Sequence, residues 1–394
     1  MREILRFCEA EQAWLLDTIR ALVAAESPTD DKAAVDACGR LIATRLEQAG
    51  GRVTRLRQAA CGDQLRVEWR SGESGRPEGS DLSGGSADRQ ILLLGHLDTV
   101  WSAGQLATMP LCEEGGRLHG PGVLDMKAGI AIGVQAMRAL QATRTVRGAR
   151  VVMLLTTDEE TGSGMSRALI EEEARRSAAV LVLEPSLPGG ALKTSRKGCG
   201  EYELVVRGKA AHAGVDPRSG ASAIAEIARQ IIRLESLQDL ERGITVNAGV
   251  ISGGTRPNVV PERATVTIDV RVPSVADADV VDKALRALTP ALPGTSLEVR
   301  GSIDRPPLER TASVVRLYEM ARQVAAELGH SLGEGSTGGG SDGNFTASLG
   351  IPTLDGLGAT GDGVHARHEH VIVADLAWRA ALIAGLIGRL SSPS

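Results

Sequence analysis

The chain is short of the features that mark several functional classes. Of its 394 residues only two are Phe, two Tyr and four Trp, too few for a platform on which nucleic-acid bases stack. A cationic surplus is also lacking. The formal net charge is -5, and no long basic run offers a track to a phosphate backbone. No stretch approaches the ~20 apolar residues of a membrane span, and the opening MREILRFCEAEQAW lacks the basic-then-apolar run of a secretory signal. The five cysteines, Cys8, Cys38, Cys61, Cys112 and Cys199, are dispersed, without a CxxC pair or zinc-finger spacing. An odd, scattered set reads as reduced thiols in a reducing compartment. These absences point to a soluble, cytoplasmic protein whose partners are neither nucleic acid nor membrane.

What is present fits a folded globular protein. At 42% hydrophobic and 24% charged residues, the chain can bury a core, and its length suggests two or three domains. The 47 glycines exceed the average share of roughly 7%, and most read as turn residues.

The first segment is expected to be helical, with Trp14, Leu15, Ile19, Leu22 and Val23 on one face and a stop at Ser27-Pro28. A second helix carries Val35, Cys38, Leu41, Ile42 and Leu46 to Gly50-Gly51. Short strands follow at Arg52–Leu56 and Leu65–Trp69, and residues 71–90, almost without apolar content, read as a surface excursion. Next, apolar runs at Ile91–Leu94, Val151–Leu155 and Val180–Leu183 alternate with helices at Met126–Leu140 and Gly164–Arg175. Short continuous runs between helices predict an α/β sheet covered on both faces. His96, Asp98, Asp158, Glu159, Glu160 and Glu184 all fall just after these strands, where open α/β sheets bind ligands.

From about residue 199 the pattern becomes β-α-β-β-α-β, the ferredoxin-like order: strands at Glu201–Arg207, Ile244–Ser252, Ala264–Val272 and Ser296–Arg300, helices at Ala221–Leu234 and Asp277–Leu288. Helices at Ala312–Leu328 and Ala374–Leu390 then restore the α/β character. The expected organisation is a discontinuous larger α/β domain, 1–197 with 306–394, into which a small domain, 198–305, is inserted.

Five segments concentrate metal-type ligands: GHLDTV (95–100), GPGVLDMKAG (120–129), TTDEETGS (156–163), VLEPS (182–186) and GDGVHARHEH (361–370). Singly, each has a plain structural reading. A histidine at a strand end commonly serves as a hydrogen-bonded structural group, and Glu159-Glu160 reads as a solvated helix start. GPGVLD fails as a dinucleotide loop because Asp125 stands where the third glycine belongs. Together they supply two histidines and three carboxylates, the inventory of a nitrogen- and oxygen-ligated zinc pair.

At these residues, in their order and spacing along nearly the whole chain, the sequence resembles the M20 metallopeptidase family, nearest its glutamate carboxypeptidase (carboxypeptidase G2-like) branch. The resemblance implies a zinc-exopeptidase-like α/β catalytic domain with an inserted ferredoxin-like dimerisation domain, and two zinc ions per subunit. By it, His96 and Glu184 hold one zinc, Glu160 and His365 the other, and Asp125 bridges them. Asp98 steadies His96, and Glu159 is the general base, taking a proton from water and passing it to the leaving amine. His212, in KAAHAG, matches the histidine that reaches a partner subunit's site and stabilises the oxyanion. Asn258, Arg271, Arg305, Thr337, Gly338 and Gly339 are the implied contacts to a substrate carboxylate. The peptide after Asp125 is expected to be cis. Ala128 stands where relatives usually carry glycine, which would affect the helix start.

The resulting expectation is a homodimeric dizinc carboxypeptidase that releases a C-terminal amino acid from small N-acyl or peptidyl substrates. An N-acyl-amino-acid deacylase of the acetylornithine or succinyl-diaminopimelate type is the enzyme alternative. A third reading, an inactive binding protein of the same fold, predicts a lost ligand or a lost Glu159, and all are present.

Overall fold

The three central apolar runs lie side by side in one mixed six-stranded sheet. Its order is Arg52–Leu56, Gln64–Arg70, Ala149–Thr156, Arg89–His96, Ser177–Val182 and Thr353–Leu354. The last four strands run parallel, whereas the first two pair antiparallel. Alternate side chains enter two separate cores. Ile91, Leu93, Val151, Met153 and Leu181 pack with Leu15, Ile19, Ile130, Val134, Leu382 and Ile383 on one face. Leu92, Leu94, Val152, Leu154, Val180 and Val182 pack with Ile170, Ala174 and Phe345 on the other. Burial on both faces is why these strands read as continuous apolar runs.

The computed structural model describes residues 1–70, 89–144 and 149–391. They divide into a larger unit, Met1–Thr194 with Arg310–Ser336 and Ser341–Ser394, and a smaller unit, Ser195–Glu309 with Thr337–Gly340. The expected surface excursion at 71–90 lies outside the described residues except for its last two, which open the Arg89–His96 strand. Among the described residues no helix is long and apolar enough to cross a membrane.

The first helical segment is two helices, Arg2–Ala10 and Gln12–Ala24, broken at Glu11, whose φ of -98° and ψ of 17° leave the helical region. The Lys32–Gln48 helix starts where the Asp31 carboxylate accepts the Ala34 N–H. The helix expected from Met126 begins instead at Ala128. The residues before it form an irregular turn in which Asp125 and Met126 have non-helical angles, and the Asp125–Met126 peptide is cis. Ala128 has φ -67° and ψ -37°, ordinary helical values, so a glycine's freedom is not needed there.

A small four-stranded sheet escaped sequence reading. It is made of Cys112–Glu114, Arg117–His119, Gly361–Asp362 and His370–Ile372, strands too short to carry a periodic signal. It joins the segment before Asp125 to the segment around His365.

The smaller unit follows the order Gly198–Arg207, Ala223–Glu235, Thr245–Gly253, Arg263–Val272, Val275–Arg286 and Ser296–Arg305, strand-helix-strand-strand-helix-strand. Its sheet is antiparallel throughout, with Thr245–Gly253 and Ser296–Arg305 at the edges. Tyr202, Leu204, Ile227, Val266, Ile268 and Leu285 form its core, and Ser222 and Ser274 cap the two helices. Thr337–Gly340 packs with this unit because the buried Arg196 donates to the carbonyls of Gly339 and Gly340, while the Lys197 N–H donates to Thr337 O. Sequence reading left that segment in the larger unit, since a contact between positions so far apart has no local signature.

Two glycines press the larger unit's backbone together beside Glu184. A Cβ at Gly129 would lie 2.0 Å from Leu183 O, and one at Gly358 2.1 Å from the same oxygen. Gly129→Ala should therefore cost about 1–3 kcal/mol, as overpacking does, read as a lower denaturation midpoint. Gly164→Ala, whose new Cβ would meet nothing within 4 Å, should stay within ~0.5 kcal/mol of the parent. Equal midpoints for the two variants would refute this view of the packing.

Candidate metal centre

The carboxyl ends of three parallel strands supply the floor of the centre. His96 is the last residue of its strand, Glu159 and Glu160 follow the strand ending at Thr156, and Glu184 follows the one ending at Val182. Asp125 enters from the irregular turn. His365 enters from the loop between two short strands of the small sheet, with φ at 59°.

Asp125 lies at the middle. Its Oδ1 is 3.2 Å from His96 Nε2, and its Oδ2 is 3.3 Å from His365 Nε2. Each imidazole has a further carboxylate of its own: Glu184 Oε1 lies 3.5 Å from His96 Nε2, and Glu160 Oε2 lies 3.2 Å from His365 Nε2. One ligand atom from each of His96, Asp125 and Glu160 falls within 4.8 Å of the others.

The tautomer of His96 follows from its neighbours. Nδ1 faces two acceptors, the Asp98 carbonyl at 3.0 Å and Asp98 Oδ1 at 3.5 Å, so a proton is held there, and Nε2, which faces Asp125 and Glu184, is the nitrogen left for a cation to take. The nearer partner is thus the backbone of Asp98. Its carboxylate accepts the Thr29 hydroxyl at 2.9 Å and the N–H groups of Glu159 and Glu160 at 3.4 and 3.2 Å. Asp98 therefore ties the histidine's strand to the turn that carries both glutamates. Asp158 shapes the same turn, accepting the Met165 N–H at 2.7 Å and the Ser166 hydroxyl.

The electrostatics are those of a site short of positive charge. Burial opposes a charged His96, yet Asp125, Asp98 and Glu184 hold it well above the usual imidazole range. Asp125 and Glu160, outweighing burial, raise His365 to about 10. Burial pushes Asp125 upward, but His365 and His96 hold it well below the carboxylate range. Glu160 is raised by burial and by the Asp125 charge, and its Oε1 is buried without a hydrogen-bond partner. Crowded anions and an unmatched carboxylate oxygen are what divalent cations would satisfy. The donor set fits zinc, with imidazole nitrogens and carboxylate oxygens at the strand ends.

Several buried groups that fix this geometry were not singled out in the sequence. Glu369, entirely buried, accepts the N–H groups of Gly122, Leu124 and Asp125; its position four residues after His365 was the available signal. Arg379, also fully buried, donates to the carbonyls of Gly190, Gly356 and Gly358, and burial lowers its pKa to about 10. The Gly358 N–H in turn donates to Glu184 O at 2.9 Å. Lys127, at 1% exposure, donates to Ala25 O at 2.9 Å. His370, five residues after His365, is buried, its Nδ1 lies 2.9 Å from His368 O, and its ring lies 5.1 Å from that of His119.

The remaining implied contacts belong to the smaller unit, in two groups. His212 and Asn258 are exposed on adjoining segments, joined by the Ala213 N–H to Asn258 O at 3.0 Å. Arg271 and Arg305 are the register partners of Cys199 on either side, and a Cβ at Gly340 would lie 3.1 Å from both Arg305 Cδ and Cys199 Sγ. Thr337, Gly338 and Gly339 therefore run toward that row. Arg271 is also paired with Asp269 at 2.7 Å.

The family model for peptidase family M20/M25/M40 matches residues 92–389, a span that includes all five ligand candidates. Carboxypeptidase G2 from Pseudomonas sp. (strain RS-16) is 31% identical over 386 residues, covering 96% of this chain and 89% of that protein. Acetylornithine deacetylase from Myxococcus xanthus is 33% identical over 327 residues, covering 76% and 80%. In fold, the chain is similar to aminopeptidase PepT from Bacillus cereus, with a TM-score of 0.78 at 22% identity and coverage of 97% and 99%. With the family's α/β fold and its ligand types gathered at one sheet edge, the chain belongs to peptidase family M20/M25/M40, a family of metal-dependent hydrolases.

Proposed function

We propose that this protein is a dizinc amidohydrolase that cleaves an amide bond adjacent to a free carboxylate, releasing a C-terminal, glutamate-like amino acid from small N-acyl or peptidyl substrates. The observation that carries the reading is the division of Asp125. Each of its oxygens faces a different imidazole, and each imidazole has its own second carboxylate. His96 and Glu184 would hold one ion, His365 and Glu160 the other, and Asp125 both. Two such ions would polarise a carbonyl oxygen and lower the pKa of a water.

The chain's own residues supply the rest. Glu160 is spoken for by His365, which leaves Glu159, half-buried on the same turn, to take the proton of the attacking water and deliver it to the leaving amine. His212 Nδ1 accepts the N–H groups of Gly214 and Val215 at 3.2 Å each, so its proton resides on Nε2, ready to donate to an oxyanion. Arg271 and Arg305, with Asn258 and the Thr337–Gly339 backbone, are proposed for the substrate carboxylate.

A homodimer through the smaller, ferredoxin-like unit belongs to the same proposal, with His212 of the partner subunit completing each site. The edge strand Thr245–Gly253 supports it, because Val250 and Ile251 stand 64% and 57% exposed and Ile232 of the neighbouring helix 68%. An apolar, unpaired edge invites a second copy.

The 31% identity to carboxypeptidase G2 in an alignment covering 96% of the chain supports the carboxypeptidase, and the 33% identity to acetylornithine deacetylase over a shorter 76% is the reason to carry the deacylase as the second reading. A hydrolysis panel separates them: aroyl-glutamates and dipeptides should be turned over faster than N-acetyl amino acids, and the reverse order would favour the deacylase. Chelation should abolish turnover and zinc restore it, with about two ions per chain by elemental analysis. Full activity in metal-stripped protein would end the proposal. Glu159→Ala should lower turnover by ~10²–10⁴-fold with both ions retained, whereas Glu160→Ala should lose one ion. The opposite pattern would exchange the two roles. Mixing Glu159→Ala with His212→Ala chains should restore activity through hybrid dimers holding one intact composite site, and verified hybrids without activity would assign His212 to its own chain or to no role.

A further inference from the structure

Glu369 has an environment unlike that of the carboxylates that face the histidines. The four groups hydrogen-bonded to its oxygens are all donors. Oε1 accepts the N–H groups of Leu124 at 2.8 Å and Asp125 at 3.0 Å. Oε2 accepts the Gly122 N–H at 2.9 Å and the Trp101 indole N–H at 2.8 Å. Its own backbone closes the arrangement, since Glu369 O accepts from Gly120 at 3.4 Å and Glu369 N–H donates to Ala366 O at 2.9 Å.

One side chain thus joins three segments of the centre. Trp101 lies just beyond the His96–Asp98 segment, Gly122–Asp125 carries the shared carboxylate, and Glu369 follows His365 by four residues. A carboxylate can accept on both oxygens at once. A glutamine would turn an NH2 toward two N–H donors, and buried donors facing one another force the backbone to move.

We propose that Glu369 is the positioning residue of the cation centre, aiming the Asp125 carboxylate through its backbone and thereby setting the affinity for both ions together. The inference rests on the two-cation reading above. Because Oδ1 and Oδ2 of Asp125 serve different imidazoles, a rotation of the 122–125 backbone spoils both contacts in one movement. Removing His365 takes a ligand from one ion only.

The test is a Co(II) titration of metal-stripped protein against a competing chelator, followed by visible absorption, with thermal unfolding of the metal-free chains recorded in parallel. Glu369→Gln should weaken both binding steps by ~10–100-fold, the range for residues that orient metal ligands, whereas His365→Ala should weaken one step far more than the other. Trp101→Phe, which removes a single donor at the rim, should give a smaller loss in both steps and guards against a Glu369 variant that does not fold. Parent-like affinities in a folded Glu369→Gln chain, or in Trp101→Phe if Glu369→Gln fails to fold, would overturn the role of Glu369 while leaving the cation reading intact. If the parent itself bound no Co(II) beyond the level of His96→Ala, both readings would fall.

Discussion

Mutual repulsion among carboxylates is the constraint around which this molecule is arranged. Asp98, Asp125, Glu160 and Glu184 converge on two imidazoles, and anions so close in a buried site cannot all remain charged without positive charge among them. The fold meets the demand in layers. Asp98 is satisfied by N–H groups and a hydroxyl, both histidines are drawn toward their charged form, and Glu160 keeps an oxygen in reserve. Two opposite buried charges hold the loops from behind. Glu369 gathers N–H groups beneath Asp125, and Arg379 gathers carbonyls on the loop that is hydrogen-bonded to Glu184. Glu369 is met by three backbone N–H groups and the Trp101 indole, and Arg379 by three backbone carbonyls.

Sequence reading succeeded where local pattern and chemistry coincide. Apolar runs such as Ile91–Leu94 and Val151–Leu155 mark strands buried on both faces, and ligand-type residues just after them mark the sheet's carboxyl edge. His96, Glu160 and Glu184 were legible for that reason, whereas Asp125 and His365, which sit in a turn and a loop, were reached only through the family resemblance; the structure brings the side chains of all five close together. What stayed hidden depends on distance along the chain. Glu369 and Arg379 act on backbone atoms many residues away, and a glutamate or arginine that binds main-chain groups leaves no mark in the segment it holds. The Arg196 contact to Gly339 and Gly340 is of the same kind. Local exceptions were hidden too. Glu11 interrupts an otherwise helical stretch, and Asp125–Met126 delays a helix whose periodicity begins two residues earlier than its hydrogen bonds do. The small sheet of two- and three-residue strands lies below any periodic signal.

Glu369 and His365 also fix when the centre can come into being. The strand ends that carry His96, Glu160 and Glu184 can form from the first half of the chain, yet one imidazole and the carboxylate under Asp125 arrive only with the last tenth. During synthesis the first half therefore presents a cluster of acids with a single histidine and an unsupported Asp125 turn. Such a nascent chain is a poor trap for a transition metal, since an incomplete and mobile ligand set loses both charge compensation and preorganisation. The ligand set is thus complete only once the chain has delivered its His365–Glu369 segment to the turn that carries Asp125.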